Sequence, residues 1–449
     1  MRSASADLRG YATQGMIVLR LLHISDIHFR TPYCLDPNHD RDGPIRDTLA
    51  LDLSSIVEKD QQPISAILIT GDIAYKADPE EFEMAASWLH GLCIKFGCSP
   101  QNVFVVPGNH DVNQSTCRDR MISAARGQVL AKNGEARQRD FHDALSDAQS
   151  GAQLIKPMEA YNKFAARYGC EISPQRPYWT HELEIAPGTN LILNGLTSTF
   201  FSDESDKLGT LFLGGIQTTF RKKDGAIHLA MMHHPPEWLQ DCDDVNDALN
   251  DRASIHLVGH KHRGRWTPGL DNLRVSAHAF HPNRAEGAYE PGYNVLDLTL
   301  ESNGNGSHHV SVDGHIRVLQ NSPEIFRAKI NGQGLEVFNQ KIPVTISSKH
   351  PTPTPKATKD KVSADKPPSE TTMPNEKQEI DAREVVYKFW QLKASQRMRI
   401  VNELKLVTNE QLKLPETELY HIAFETAQKK GATNSLIQKI ISAEKNNER

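Results

Sequence analysis

Short β-branched apolar runs recur along the chain: MIVLRLLHI (16–24), ISAILIT (64–70), NVFVV (102–106), NLILNGL (190–196), AIHLAMM (226–232) and SIHLVG (254–259). These runs are nearly continuous in apolar character, which predicts strands buried on both faces. Between the first three lie DTLALDLSSIVEKD (47–60) and PEEFEMAASWLHGLCIKFG (79–97), whose apolar residues fall at helical spacing. Strand and helix thus alternate as βαβ, the signature of a sheet covered by helices. LRVSAH (273–278), YNVLDLTL (293–300) and HHVSVDGHIRVL (308–319) alternate more strictly and are joined by short turns. They predict a second, more antiparallel sheet packed on the first. The expected class is α/β, with two mixed sheets flanked by helices.

Three stretches break this rhythm. Residues 112–185 are helical by composition, carry Arg118, Arg120, Arg126, Arg137 and Arg139, and end in Tyr161, Phe164, Tyr168, Tyr178 and Trp179. They are read as an insertion above the strand ends, either a lid or substrate wall or a solvated excursion. From 341 to 380 the chain is rich in Pro, Thr, Ser and Lys, with almost no large apolar residue after Ile346, and is expected to be a disordered linker. Residues 381–449 resume helical periodicity, with Val385, Val386, Phe389, Trp390 and Leu392 spaced for one face and Gly431 as a helix stop. A separate small all-α bundle is expected there, moving independently of a catalytic domain over 16–340. Residues 1–15 are patternless and are read as a flexible extension.

Composition narrows the function classes. A net charge of −5 argues against a protein held on nucleic acid or membrane by charge alone, although bound metal ions would supply local positive charge. Six scattered cysteines without a CxxC pair exclude a zinc ribbon and fit reduced thiols in a cytoplasm. No apolar stretch approaches the roughly 20 residues needed to span a bilayer, so no membrane association is expected.

The chemistry sits where the apolar runs end. LLHI is followed by Ser25, Asp26 and then His28; ISAILIT by Gly71-Asp72; NVFVV by PGNHD, with Asn109, His110 and Asp111. AIHLAMM leads into His233 and His234, and SIHLV into GHKH, with His260 and His262. Five such clusters would converge on the carboxyl edge of the sheet, where open α/β sheets place their sites. Carboxylate and carbonyl oxygens mixed with imidazole nitrogens suit Mn, Fe or Zn better than Ca or Mg. A carboxylate can bridge two ions through its two oxygens. Two ions about 3.5–4 Å apart clamp a phosphoryl oxygen and lower the pKa of a bridging water.

The ordered blocks D-x-H, GD, GNHD, H and GHxH resemble the calcineurin-like metallophosphoesterase family, over roughly 17–320. TGDIAYKADPEEF and PGYNVLDL are similar to its bacterial cyclic-nucleotide phosphodiesterase branch. The resemblance implies a metallophosphoesterase β-sandwich and a dinuclear centre of two divalent ions, Mn ahead of Fe or Zn. Asp26, His28 and His262 would hold the first ion, Asp72 would bridge, and Asn109, His233 and His260 would complete the second. His110 would protonate the leaving oxygen as general acid, and Asp111 would orient its imidazole. His234 would support the ligands from behind. The implied activity is phosphodiester hydrolysis, on a nucleotide or nucleic-acid substrate, by metal-bridging hydroxide. The C-terminal stretch FWQLKASQRMRIVNELKL resembles effector-associated or death-like adaptor domains. That implies an alternative emphasis: an effector or adaptor of a bacterial defence or signalling system, its residues 381–449 recruiting a protein partner to the phosphoesterase, a metal-dependent nuclease included.

Overall fold

A computed structural model describes residues 18–281, 290–302, 307–345 and 381–445. The N-terminal extension and the linker beyond 345 lie outside the described residues. Among the described residues thirteen strands form two sheets: β1 (Val18–Ile24), β2 (Ala66–Ile69), β3 (Val103–Val105), β4 (Trp179–Ala186), β5 (Thr189–Gly195), β6 (Ala226–Met232), β7 (Ile255–Val258), β8 (Arg265–Pro268), β9 (Leu273–Ser276), β10 (Gly292–Ser302), β11 (His308–Asn321), β12 (Glu324–Ala328) and β13 (Phe338–Val344). The first sheet runs β12-β11-β10-β1-β2-β3, with β13 also pairing with β11; the second runs β4-β5-β6-β7-β9-β8.

Helices Gly43–Asp60 and Pro79–Phe96 make the crossovers between the parallel strands β1, β2 and β3. The second begins in a capping box, Asp78 with Glu81, and ends at Gly97 in a left-handed conformation. It turns Phe82, Ala85, Leu89 and Phe96 inward at helical spacing, onto strands whose residues are buried on both faces.

The later strands are partitioned differently from the sequence expectation. β10 and β11 extend the first sheet, and the parallel strands β5, β6, β7 and β9 form the centre of the second. The reason lies in β10. Its Tyr293, Val295, Leu296 and Leu298 are fully buried, so it closes the open edge of β1 antiparallel, with Leu296 opposite Leu21.

The inserted segment also ends earlier than 185. Its helices run from Gln114–Cys117 to Glu159–Ala165, while residues 179–186 are the edge strand β4. Tyr161, Phe164, Tyr168 and Trp179 are core side chains, and the Tyr161 hydroxyl and Trp179 indole both donate to the carbonyl of Val105, each at 3.0 Å. Arg126 and Arg137 are buried, Arg126 donating to Ser202 O at 2.7 Å. At the other boundary, β13 runs to Val344, past the composition change at 341, because Ile342 and Val344 still find cover against β11.

Helices Ala382–Gln391, Ala394–Glu403, Glu416–Lys429 and Thr433–Lys445 form a separate core from Val385, Phe389, Ile400, Leu419, Tyr420 and Ile440. The bundle is nevertheless docked on the body, which the expectation of independent motion did not include. Arg383 donates to Val103 O at 3.3 Å and to Tyr168 O at 2.5 Å, and its guanidinium lies 4.1 Å over the Phe104 ring. Tyr387 meets His90 Nδ1 at 3.0 Å.

Candidate metal centre

Each candidate ligand follows a buried strand, and the backbone there is held in unusual conformations. Among the described residues eight non-glycine positions have positive φ, and five of them are Asp26, His28, Asp72, His260 and His262. Such strain persists where surrounding structure over-determines it, and it clusters at functional sites. Gly71, at φ +91°, makes the close approach possible: a Cβ there would stand 2.7 Å from both Gly108 N and His233 Nδ1.

The residues brought together form two overlapping sets. In the first, ligand atoms of Asp26, His28 and His262 lie within 4.8 Å of one another, with His262 Nε2 3.3 Å from Asp26 Oδ1. In the second, His233 Nε2 is 3.0 Å from Asn109 Oδ1, 3.2 Å from His260 Nδ1 and 3.4 Å from Asp72 Oδ2, and His260 Nδ1 is 3.0 Å from Asn109 Oδ1. Asp72 stands between them: its Oδ2 is also 3.7 Å from His28 Nε2, while its Oδ1 accepts the His110 backbone N–H at 2.8 Å. One oxygen of Asp72, rather than one for each set, therefore faces both.

This donor set fits divalent cations. Buried Asp26 Oδ1 faces the His262 ring, and buried His28 Nδ1 has no hydrogen-bond partner among the described residues. His233 Nδ1 bonds Thr70 O at 2.8 Å, an arrangement that leaves Nε2 as the ligating nitrogen. Although burial opposes it, the Asp72 carboxylate raises His233 to about 9. Asp26 is held down to about 2 against its burial by the His262 hydrogen bond and the charge of His233, and Asp72 is likewise lowered against burial by His233. Burial pushes His28 down to about 3 and His260 to about 4.

His110 is half-buried beside the first set, its ring 4.6 Å from that of His28. Its Nδ1 bonds the Tyr75 carbonyl at 2.7 Å, leaving Nε2 free. This corrects the role expected for Asp111. The Asp111 carboxylate does not reach the imidazole; it accepts backbone N–H groups from Gly108 (2.8 Å), Ala74 (2.8 Å) and Ile73 (3.2 Å). Successive residues of a tight 3-10 turn point apart, so Asp111 ties the GNHD turn to the segment after Asp72, and Tyr75 orients the ring. Burial and the Asp72 charge push Asp111 up to about 7, against those three N–H groups.

Sequence reasoning also missed His281. Its ring lies 5.5 Å from that of His28 and its Nε2 3.2 Å from Asp42. No motif marked it; Tyr75 lay inside TGDIAYKADPEEF, yet what it supplies is a backbone carbonyl. His278 is a packed residue, bonded to Glu290 O at 3.0 Å and Lys329 at 3.2 Å, and Lys261 pairs with Glu237 at 2.7 Å.

The family model of calcineurin-like phosphoesterases matches residues 19–264, more than half of the chain. The chain belongs to the calcineurin-like phosphoesterase family. A second model, the GTPase-associated adaptor domain, matches residues 381–442 of this phosphoesterase. The uncharacterised metallophosphoesterase-like protein YydB of Bacillus subtilis is 35% identical over 106 residues, 24% of this chain. The match spans only 20% of that relative's length. Among solved structures, a predicted phosphoesterase from Streptococcus pneumoniae TIGR4 aligns at 12% identity and TM-score 0.28, covering 73% of this chain and 99% of its own. GAP50 of Plasmodium, described as the anchor in the inner membrane complex, aligns at 9% identity and TM-score 0.36, covering 74% of this chain and 90% of its own. No helix among the described residues is long and apolar enough to cross a membrane.

Proposed function

We propose that the chain is a metal-dependent phosphodiesterase acting on a nucleotide or nucleic-acid phosphodiester in the cytoplasm, with two divalent ions, Mn ahead of Fe or Zn. The observation that carries this reading is Asp72 Oδ2, which lies 3.4 Å from His233 and 3.7 Å from His28, within reach of both ligand sets. When bound, two such ions polarise the phosphoryl group and supply an activated water. Asp26, His28 and His262 would hold one ion, Asn109, His233 and His260 the other, with Asp72 shared. His110, its Nδ1–H held by Tyr75 O, keeps Nε2 for a proton delivered to the leaving oxygen. Asp111 keeps the turn that presents Asn109 and His110 in register with Asp72. The test is a substrate panel with added Mn²⁺: bis-p-nitrophenyl phosphate, cyclic nucleotides, and single- and double-stranded DNA and RNA. Metal-dependent turnover of a diester is expected; turnover confined to monoesters would refute the diester reading.

The match of residues 381–442 to an adaptor domain supports a second element, recruitment of a protein partner by the bundle. If a chain ending at 345 equals the full chain in both activity and cellular effect, the recruiting role is wrong.

A further inference from the structure

His234 is the second histidine of HHPP and belongs to neither ligand set described above. It is fully buried, its ring 4.8 Å from that of His233 and 4.4 Å from that of His260. Two hydrogen bonds tie it to Ser198: its backbone N–H donates to Ser198 Oγ at 3.1 Å, and Oγ lies 2.9 Å from its Nδ1. These bonds decide the tautomer. Ser198 has no other acceptor in reach among the described residues, so its hydroxyl proton goes to Nδ1, and Nδ1 is the acceptor. The opposite tautomer would leave that hydroxyl proton and the Nε2 lone pair both unsatisfied. The proton of the neutral ring therefore sits on Nε2. Yet Nε2 is buried and has no partner, as is the indole nitrogen of the adjacent Trp238. A fully buried N–H without an acceptor costs about 1–3 kcal/mol, and such groups in a folded protein call for an explanation. The ring that carries this orphan lies beside the proposed second ion's ligands, with one of its nitrogens within 4.8 Å of those of His233 and His260.

We propose that His234 is a substrate-binding residue, whose Nε2–H donates to an oxygen of a tetrahedral phosphoryl group seated against Asn109, His233 and His260. The acceptor missing from the protein is supplied by the ligand, and Ser198 fixes the ring so that donation, not proton exchange, is its role. A preorganised donor of this kind favours the transferring oxyanion without reorganisation. The proposal rests on the phosphoesterase reading and adds a specific oxyanion contact to it.

Two substitutions separate the ring's two nitrogens. In His234→Asn the side-chain amide keeps a partner for Ser198 but ends short of the Nε2 position; in His234→Gln the amide reaches that position and retains a donor. The probe is inorganic phosphate with Mn²⁺, measured by calorimetric binding and by inhibition of diester hydrolysis, with metal content from elemental analysis and folding from circular dichroism. His234→Asn is expected to keep the wild-type metal content while binding phosphate about ten- to hundredfold more weakly, and His234→Gln to recover much of the loss. Wild-type phosphate binding in a folded His234→Asn overturns the proposal. So does loss of one ion per chain, which would make His234 a ligand. A wild-type chain that takes up no metal overturns the phosphodiesterase reading itself, an outcome distinct from either.

Discussion

In the phosphoesterase body, charged and polar side chains lie at the centre of the fold: Asp26, Asp72, Asp111, His233 and His234 are each 0–1% exposed. In the helical domain every fully buried side chain among the described residues is apolar or aromatic, and its charges form surface pairs such as Glu425–Lys429 at 3.0 Å and Glu384–Lys388 at 2.9 Å. Burying a polar group is costly unless it is paired, so the body's interior records a demand other than stability. The bundle's interior records packing alone, and whatever specificity it has lies on its surface. The exception sits between them. Arg383 belongs to the bundle but is largely buried against the body, facing two carbonyls and a ring, with no carboxylate hydrogen-bonded to it and its Nε unpartnered. A desolvated guanidinium held this way is a weak source of stability.

The largest effect expected from breaking this contrast is at Asp72. Asp72→Ala removes an oxygen that faces both ligand sets, so hydrolysis should fall to background together with metal content; a variant retaining two ions per chain contradicts the shared role. His110→Ala should keep its metal and lose roughly 10²–10⁴-fold in rate. The loss should shrink for p-nitrophenolate, a leaving group that needs little protonation. Because a ring nitrogen of His110 also lies within 4.8 Å of ligand atoms of His28 and Asp72, loss of an ion in this variant would reassign it as a ligand.

The next effect is at the domain contact. Arg383→Glu sets a carboxylate against the carbonyls of Val103 and Tyr168, and should release the bundle. Amide exchange should rise in residues 100–104 and 166–170, while hydrolysis of a small diester stays unchanged. Unaltered exchange would mean that Arg383 is not the anchor.

The smallest effect concerns pH. Burial lowers His181 to about 3 and His256 and His278 to about 4, all in the body, whereas the bundle's described histidine, His421, is half-exposed. With folded values below the ordinary 6.5, the unfolded body binds more protons as pH falls, and its stability declines from about pH 6.5 toward 4. Thermal unfolding resolved by exchange should shift down between pH 7 and pH 5 for β4 and β7 but not for helix Glu416–Lys429. Equal shifts would refute the assignment.

Much of this was legible because strand-end chemistry is local. Asp26, Asp72, Asn109 and His260 each follow an apolar run, and period and punctuation are visible in one dimension. What stayed hidden depended on pairing in space. Nothing in YNVLDLTL says that β10 closes the edge of β1, and Asp111 looked like a partner for His110 because adjacency in sequence conceals which way a tight turn points its side chains. The carbonyl of Tyr75 and the docking of Arg383 are backbone contacts, which side-chain motifs do not encode.

Two cations sharing Asp72 is the feature on which the proposed chemistry depends. It is tested most directly by titrating the metal-stripped full chain with Mn²⁺, following bound metal and bis-p-nitrophenyl phosphate hydrolysis together. Saturation at two ions per chain is expected, with activity rising as the second site fills. Full activity at one ion per chain, or hydrolysis in the stripped protein, would contradict it.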